Sequence, residues 1–209
     1  MASDHADTLG AAVKTVAPLL REHGFRKQGN TFNREPEHGL VQVLAFQLGT
    51  DHPAELRGRF TVNLGFWFEE SAALDPWRAR GRFVHASSAL LSQRLGFLLD
   101  EPADTWWRVD IPDALLHTLV RELVVEHALP FLDRLATRAA ILAAWHAGDP
   151  SVSKNTVAPF TIAALHAARG EKAEAEAILT RELRELGPRH PKVASILEGA
   201  AAMCLDVRA

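Results

Sequence analysis

The chain has 209 residues, 47% hydrophobic and 23% charged, with 23 Lys and Arg against 26 Asp and Glu for a formal charge of −3. That balance describes an ordinary globular chain and excludes a whole-chain electrostatic grip on nucleic acid or anionic membrane. A single cysteine, Cys204, excludes an internal disulfide framework and an all-cysteine metal site, and the absence of Tyr leaves any acid–base chemistry to His or carboxylates.

The first residues, Met1 to Asp7, are polar and acidic and lack the basic and apolar regions of a signal peptide. No apolar run reaches the roughly 20 residues that cross a bilayer. A cytoplasmic location is therefore expected, and the lone cysteine fits a reducing compartment. The basic set is dominated by Arg and Ala is abundant, a composition associated with GC-rich bacterial genomes.

Leu9, Val13, Val16, Leu19 and Leu20 recur at helical steps and predict a helix over about Thr8 to His23, capped by Asp7 or Thr8 and ended by Gly24, with Pro18 kinking or splitting it. A β-rich stretch follows. Phe25 to Asn33 is interrupted by Gly29-Asn30, a tight-turn pair. Leu40–Leu48 is a strand with Leu40, Gln42, Leu44, Phe46 and Leu48 on one face and Val41, Val43, Ala45 and Gln47 on the other. After a turn-like segment, Phe60, Val62, Leu64, Phe66 and Phe68 alternate with Thr61, Asn63, Gly65 and Trp67, the clearest strand in the chain.

Residues 69–82 read as loop. Ser87–Leu99 fits a helix through Leu90, Leu91 and Leu95, while its tail Leu95–Leu99 fits a strand equally well. Thr105–Val109 reads as a strand. Pro112-Asp113 opens a helix to about His127, with Leu115, Leu116, Leu119, Val120, Leu123 and Val124 as its apolar stripe. Pro130 is expected to break the chain before a further helical segment to Ala147.

Gly148-Asp149-Pro150-Ser151 is the strongest internal boundary signal. It divides a main domain, 1–148, from a helical tail, 149–209, expected to dock on it. The tail reads as helices over about Pro159–Arg169, Lys172–Leu186 and from Pro191. Ile162, Ala163, His166, Gly170, Ala175, Leu179 and Pro188 resemble one tetratricopeptide-type hairpin, too little for a free solenoid, which needs about three repeats.

Several blocks in the main domain are similar to a bacterial family known as domain of unknown function number 4304. They are Gly24 to Phe32, Val41 to Gln47, Phe60 to Gly65, Arg94-Leu95-Gly96 and the Trp106-Trp107 pair, spanning about residues 8–135. The resemblance implies an α+β domain with an antiparallel sheet and implies no reaction. The fold expected is therefore α+β: an N-terminal helix, an antiparallel sheet of about four strands, and C-terminal helices.

No catalytic signature emerges. The ten His form no His-Glu-x-x-His motif and no pair four apart, and Glu122, Glu126 and His127 merely crowd one helix, so no metal site is expected. Cys204 lies near the chain end, and Ser87-Ser88 follow His85 without a nucleophile elbow. No phosphate-binding glycine loop is present and no cofactor is expected. Trp77-Arg78-Ala79-Arg80-Gly81-Arg82 is the one basic cluster with an aromatic, but Glu69, Glu70 and Asp75 offset it, so nucleic acid is not the expected partner.

The most informative feature is the sheet face opposite the core. Strands paired as a meander put Gln47, Asn63 and Trp67 on it; amides suit neutral polar ligands or peptide backbone, and Trp adds contact area. Trp106 and Trp107 must point to opposite faces. Trp107 is assigned to this surface, with Arg94 and His85 as rim groups; helices covering the face would instead make the amides local structure. The expected function is a non-enzymatic binding or accessory protein that holds a protein or small polar ligand through Gln47, Asn63, Trp67, Arg94 and Trp107. The alternative is a small-molecule enzyme with His85 as acid or base and Arg94 as anion clamp, possible in a biosynthetic setting.

Overall fold

The structure is a computed structural model that describes residues 2–49, 54–72 and 83–207. It is α+β, with an N-terminal helix, an antiparallel sheet and a set of C-terminal helices.

Helix α1 (Ala2–Glu22) buries Leu9, Ala12, Val13, Val16 and Leu20 on one stripe. It starts before the expected cap. Thr8 lies inside it, its hydroxyl donating to the Asp4 carbonyl at 2.8 Å. Pro18 neither splits nor ends the helix and lies on its exposed side. Gly24, at φ +82°, ends the turn, and Phe25 N–H closes it on the Leu20 carbonyl at 2.9 Å.

Strands β1 (Arg26–Gln28), β2 (Thr31–Glu37), β3 (Leu40–Leu48) and β4 (Arg59–Phe68) form an antiparallel meander. The far edge of β4 is shared by two short strands. β5 (Leu91–Arg94) pairs with its Asn63–Phe66 part and β6 (Trp107–Arg108) with Arg59 and Phe60. Among the described residues the sheet thus has six strands, two more than the sequence pattern exposes. The strand in the ambiguous 87–99 stretch is Leu91–Arg94, and Leu95–Leu98 is a 3-10 turn. Between the meander and β5 lie a short helix α2 (Glu69–Ala72) and a covering segment, 83–90, with its own 3-10 turn at Ala86–Ser88.

One sheet face carries Phe32, Leu44, Phe46, Phe60, Val62, Leu64, Phe66 and Phe68 into the core, as the alternation requires. Gln42 sits among them with no exposure. Its buried amide is satisfied at both ends: its oxygen accepts from Arg34 Nε at 2.8 Å and its nitrogen donates to the Leu132 carbonyl at 2.6 Å. Arg34 also bonds Asp133 at 2.6 Å, so one polar chain ties the sheet to the helix above it.

That helix runs through α3 (Asp113–Glu122), a wide turn at Leu123–Ala128 and α4 (Leu129–Arg134). The expected break at Pro130 does not occur. In the wide turn Leu129 N–H reaches back to the Val124 carbonyl, so the ladder has already shifted register where the proline lacks its donor. Helices α5 (Arg138–His146), α6 (Pro159–Ala168), α7 (Lys172–Leu186) and α8 (Lys192–Ala202) follow. Residues after the Gly148 turn join the same core: Val157 bridges Leu91, Ser92 N–H donates to the Thr156 carbonyl at 2.9 Å, and Val152, Ile162 and Leu165 are buried.

Candidate functional site

The second sheet face carries Asn33 from β2, Val41, Val43, Ala45 and Gln47 from β3, Thr61, Asn63, Gly65 and Trp67 from β4, and Arg94 from β5. It is divided in two. At one end, residues 83–90 lie across it. Trp67 is 4% exposed and packs with Val41, Val43, Ala45 and Val84 in a second apolar cluster, bordered by Ala86 and Leu90. Asn33 clamps the segment down: its Nδ2 donates to the Val84 carbonyl at 2.9 Å and its Oδ1 accepts from Val84 N–H at 2.7 Å. Gly65 is required beneath it, since a Cβ there would lie 2.6 Å from that of Ala89. Trp67 therefore does not belong to an accessible surface with Gln47 and Asn63, although all three share the face.

The other end is open. Asn63 Nδ2 donates to Gln47 Oε1 at 2.9 Å, a diagonal cross-strand pair, since Gln47 is directly opposite Thr61. Arg94 is the direct neighbour of Asn63 across β4 and β5. Its guanidinium pairs with Asp104 and lies 5.2 Å over the Trp106 ring. Trp107 is on the other side: opposite Phe60, with ring centroids 5.7 Å apart, it packs against the main core. The assignment of Trp107 to the polar face is thus corrected to Trp106, because pairing with β4 sets the phase of the two-residue strand. The loop that supplies Asp104 is fixed by Thr61, whose hydroxyl donates to the Thr105 carbonyl at 3.1 Å. It also lies so close to Gly96 that a Cβ there would fall 2.4 Å from the Ala103 carbonyl oxygen.

His85 stands on the covering segment, exposed, with its ring 6.1 Å from that of Phe83. An open depression of about 740 Å³ lies between residues 99–105 and His127; His85, Asn63 and Arg94 do not line it. The Trp77–Arg82 cluster falls outside the described residues.

The family described as Domain of unknown function (DUF4304) matches residues 16–134, more than half of the chain. The chain belongs to this family. The DUF4304 region contains both halves of the sheet face, the covering segment, and the helix from α3 to α4, while α5 to α8 lie beyond it. No curated protein and no solved structure matches the chain.

Two constellations escape sequence reasoning because the fold assembles them from distant elements. Arg138, 8% exposed at the start of α5, is bound by Glu37 and Glu70, with Glu69 at 3.8 Å, and donates to the His38 carbonyl at 2.8 Å. Burial acts to lower the pKa of its guanidinium, but the carboxylates outweigh this and raise it, so it is a fixed cation that fastens α5 to the β2–β3 turn and α2. In the other, α5, α6 and α7 bring His146, His166 and Glu174 within 4.8 Å of one another through their ligating atoms. Among the described residues, no helix is long and apolar enough to cross a membrane.

Proposed function

We propose that this DUF4304 protein is a non-enzymatic binding or accessory protein of the cytoplasm, which holds a protein segment or small polar ligand on the open half of its second sheet face. The observation that carries this reading is the Gln47–Asn63 amide pair beside the Trp106–Arg94 stack. The pair uses one Asn63 donor and the Gln47 side-chain oxygen, which leaves the Asn63 side-chain oxygen as acceptor and the Gln47 NH2 as donor. That is the complement of a peptide or amide group. Trp106 adds a flat apolar wall, and Arg94, already neutralised by Asp104, supplies stacking and spare N–H donors instead of a free charge.

Neutral pairing at Arg94 favours binding over chemistry. The test is capture of ligands by immobilised protein, with mass spectrometry of what is retained. Asn63→Ala combined with Trp106→Ala is expected to lose a ligand that the parent retains while remaining folded by circular dichroism. Unchanged capture by that variant overturns the reading. His85→Ala is expected to retain the same ligands, whereas an enzyme with His85 as acid or base would lose about 10²–10⁴ in rate on any substrate found.

A further inference from the structure

The three side chains gathered from α5, α6 and α7 have the geometry of a ligand set. His146 Nε2 and His166 Nε2 are 3.1 Å apart, with the rings at 64° to each other. Two imidazole nitrogens bound at the usual zinc distance would be about 3.4 Å apart on a tetrahedral edge and about 3.0 Å apart when cis on an octahedral one. The observed separation falls between these values. Glu174, in the first turn of α7, brings a carboxylate oxygen within 4.8 Å of a ring nitrogen of each histidine.

His166 is also prepared for such a role. It is 4% exposed, and its Nδ1 bonds Glu171 Oε2 at 2.6 Å. An ionised carboxylate only accepts, so in the neutral ring the proton is on Nδ1, and the Nε2 lone pair that accepts from His146 Nε2–H is the one a metal would take over. Glu171 is held in turn: Arg169 Nε donates to its other oxygen at 2.9 Å, and its backbone N–H donates to the His166 carbonyl at 3.0 Å. A carboxylate behind a ligating histidine is the usual outer support of a metal site, fixing tautomer and ring angle. His146 and His166 each lie in the last turn of their helices, where the helix dipole favours a cation.

We propose that His146 Nε2, His166 Nε2 and the Glu174 carboxylate bind one divalent transition-metal ion of the zinc class, with Glu171 orienting His166. Two nitrogens and one oxygen suit zinc, cobalt, nickel or copper and disfavour calcium and magnesium, which take oxygen ligands. His146 is exposed, so water fills the remaining positions on its side. Binding requires His146 to carry its proton on Nδ1, which exchanges the His146–His166 hydrogen bond for two metal bonds and closes α5, α6 and α7 around one ion. The site lies beyond the DUF4304 match and is independent of the ligand surface on the sheet.

The experiment is titration of the full chain, stripped with chelator, with Zn2+ by calorimetry and with Co2+ by visible absorption. The expected result is one tight site per chain, a cobalt spectrum of low-coordinate nitrogen–oxygen type, and a rise in melting temperature with zinc. His146→Ala alters an exposed residue and leaves the fold intact; it is expected to remove the tight site and the zinc-dependent rise together. Glu171→Gln is expected to weaken binding about 10–100-fold without abolishing it. If His146→Ala binds zinc as the parent does, the parent's binding belongs to other histidines and the proposal is overturned. If the parent shows no one-to-one site, the His146–His166 contact is a structural hydrogen bond and the proposal is equally overturned.

Discussion

The two halves of the second sheet face are built from the same strands and have different fates. At the Trp67 end, an aromatic, an amide and small apolar residues are sealed under residues 83–90. At the Asn63 end, an aromatic, two amides and an arginine stay in reach of water. Residue type does not separate them, since each end has a Trp and an Asn. What separates them is the Asn33 clamp on Val84 and the gap at Gly65 that admits Ala89. Alternation along a strand decides which residues share a face, and a segment distant in sequence decides which of those can meet a ligand.

The sharpest way to break this comparison is to truncate the two tryptophans. Trp67→Ala opens a cavity in the sealed half and is expected to cost about 3–5 kcal/mol in chemical denaturation. A loss below about 1 kcal/mol would mean that the covering segment does not pack as described. The next effect is at the clamp. Asn33→Ala leaves the buried Val84 N–H and carbonyl without partners, at a cost of roughly 2–3 kcal/mol. It is also expected to speed hydrogen exchange at the Val84 amide and to make Trp67 fluorescence more accessible to quencher. If the amide stays as protected as in the parent, Asn33 does not hold the segment.

The sequence carries β3 residue for residue, because a nine-residue run broken only by Gln42 and Gln47 reads as one strand, and β4, whose Phe, Val and Leu do alternate, fixes its register. It also carries the shared face of Gln47 and Asn63, which needs only a meander and a two-residue period. Trp106 and Trp107 lie beyond that logic: a strand of two residues has no pattern of its own, and Phe60 across the pair decides which ring enters the core. The 87–99 stretch fails for a related reason, since β5 is a strand only because β4 offers Asn63 to Phe66 as partners. Pro130 misleads because a wide turn upstream absorbs the missing donor. The His146, His166 and Glu174 group has no spacing signature, as each residue comes from a different helix and only the packing of α5, α6 and α7 joins them.

The smallest effect is expected on the open half, and it is the one that defines that half as a surface. The Arg94–Asp104 pair leaves 35% and 48% of the two side chains exposed, so solvent screens most of its attraction and a few tenths of a kcal/mol to about 1 remain. The Arg94–Trp106 stack adds about 0.5–1 kcal/mol of similar, partly hydrated character. Trp106→Ala is therefore expected to cost no more than about 1 kcal/mol and Arg94→Ala, which loses both contacts, no more than about 2, with a double-mutant coupling of about 0.5 kcal/mol. Added salt separates the components. The ion pair weakens as the screening length shortens, while the ring contact, at van der Waals range, keeps most of its share. A cost near that of Trp67→Ala would mean that Trp106 is a core residue and that the sheet has no free half. A small cost with a salt-dependent Arg94 component leaves Trp106 and Arg94 as groups the fold can spare, available for a ligand to cover.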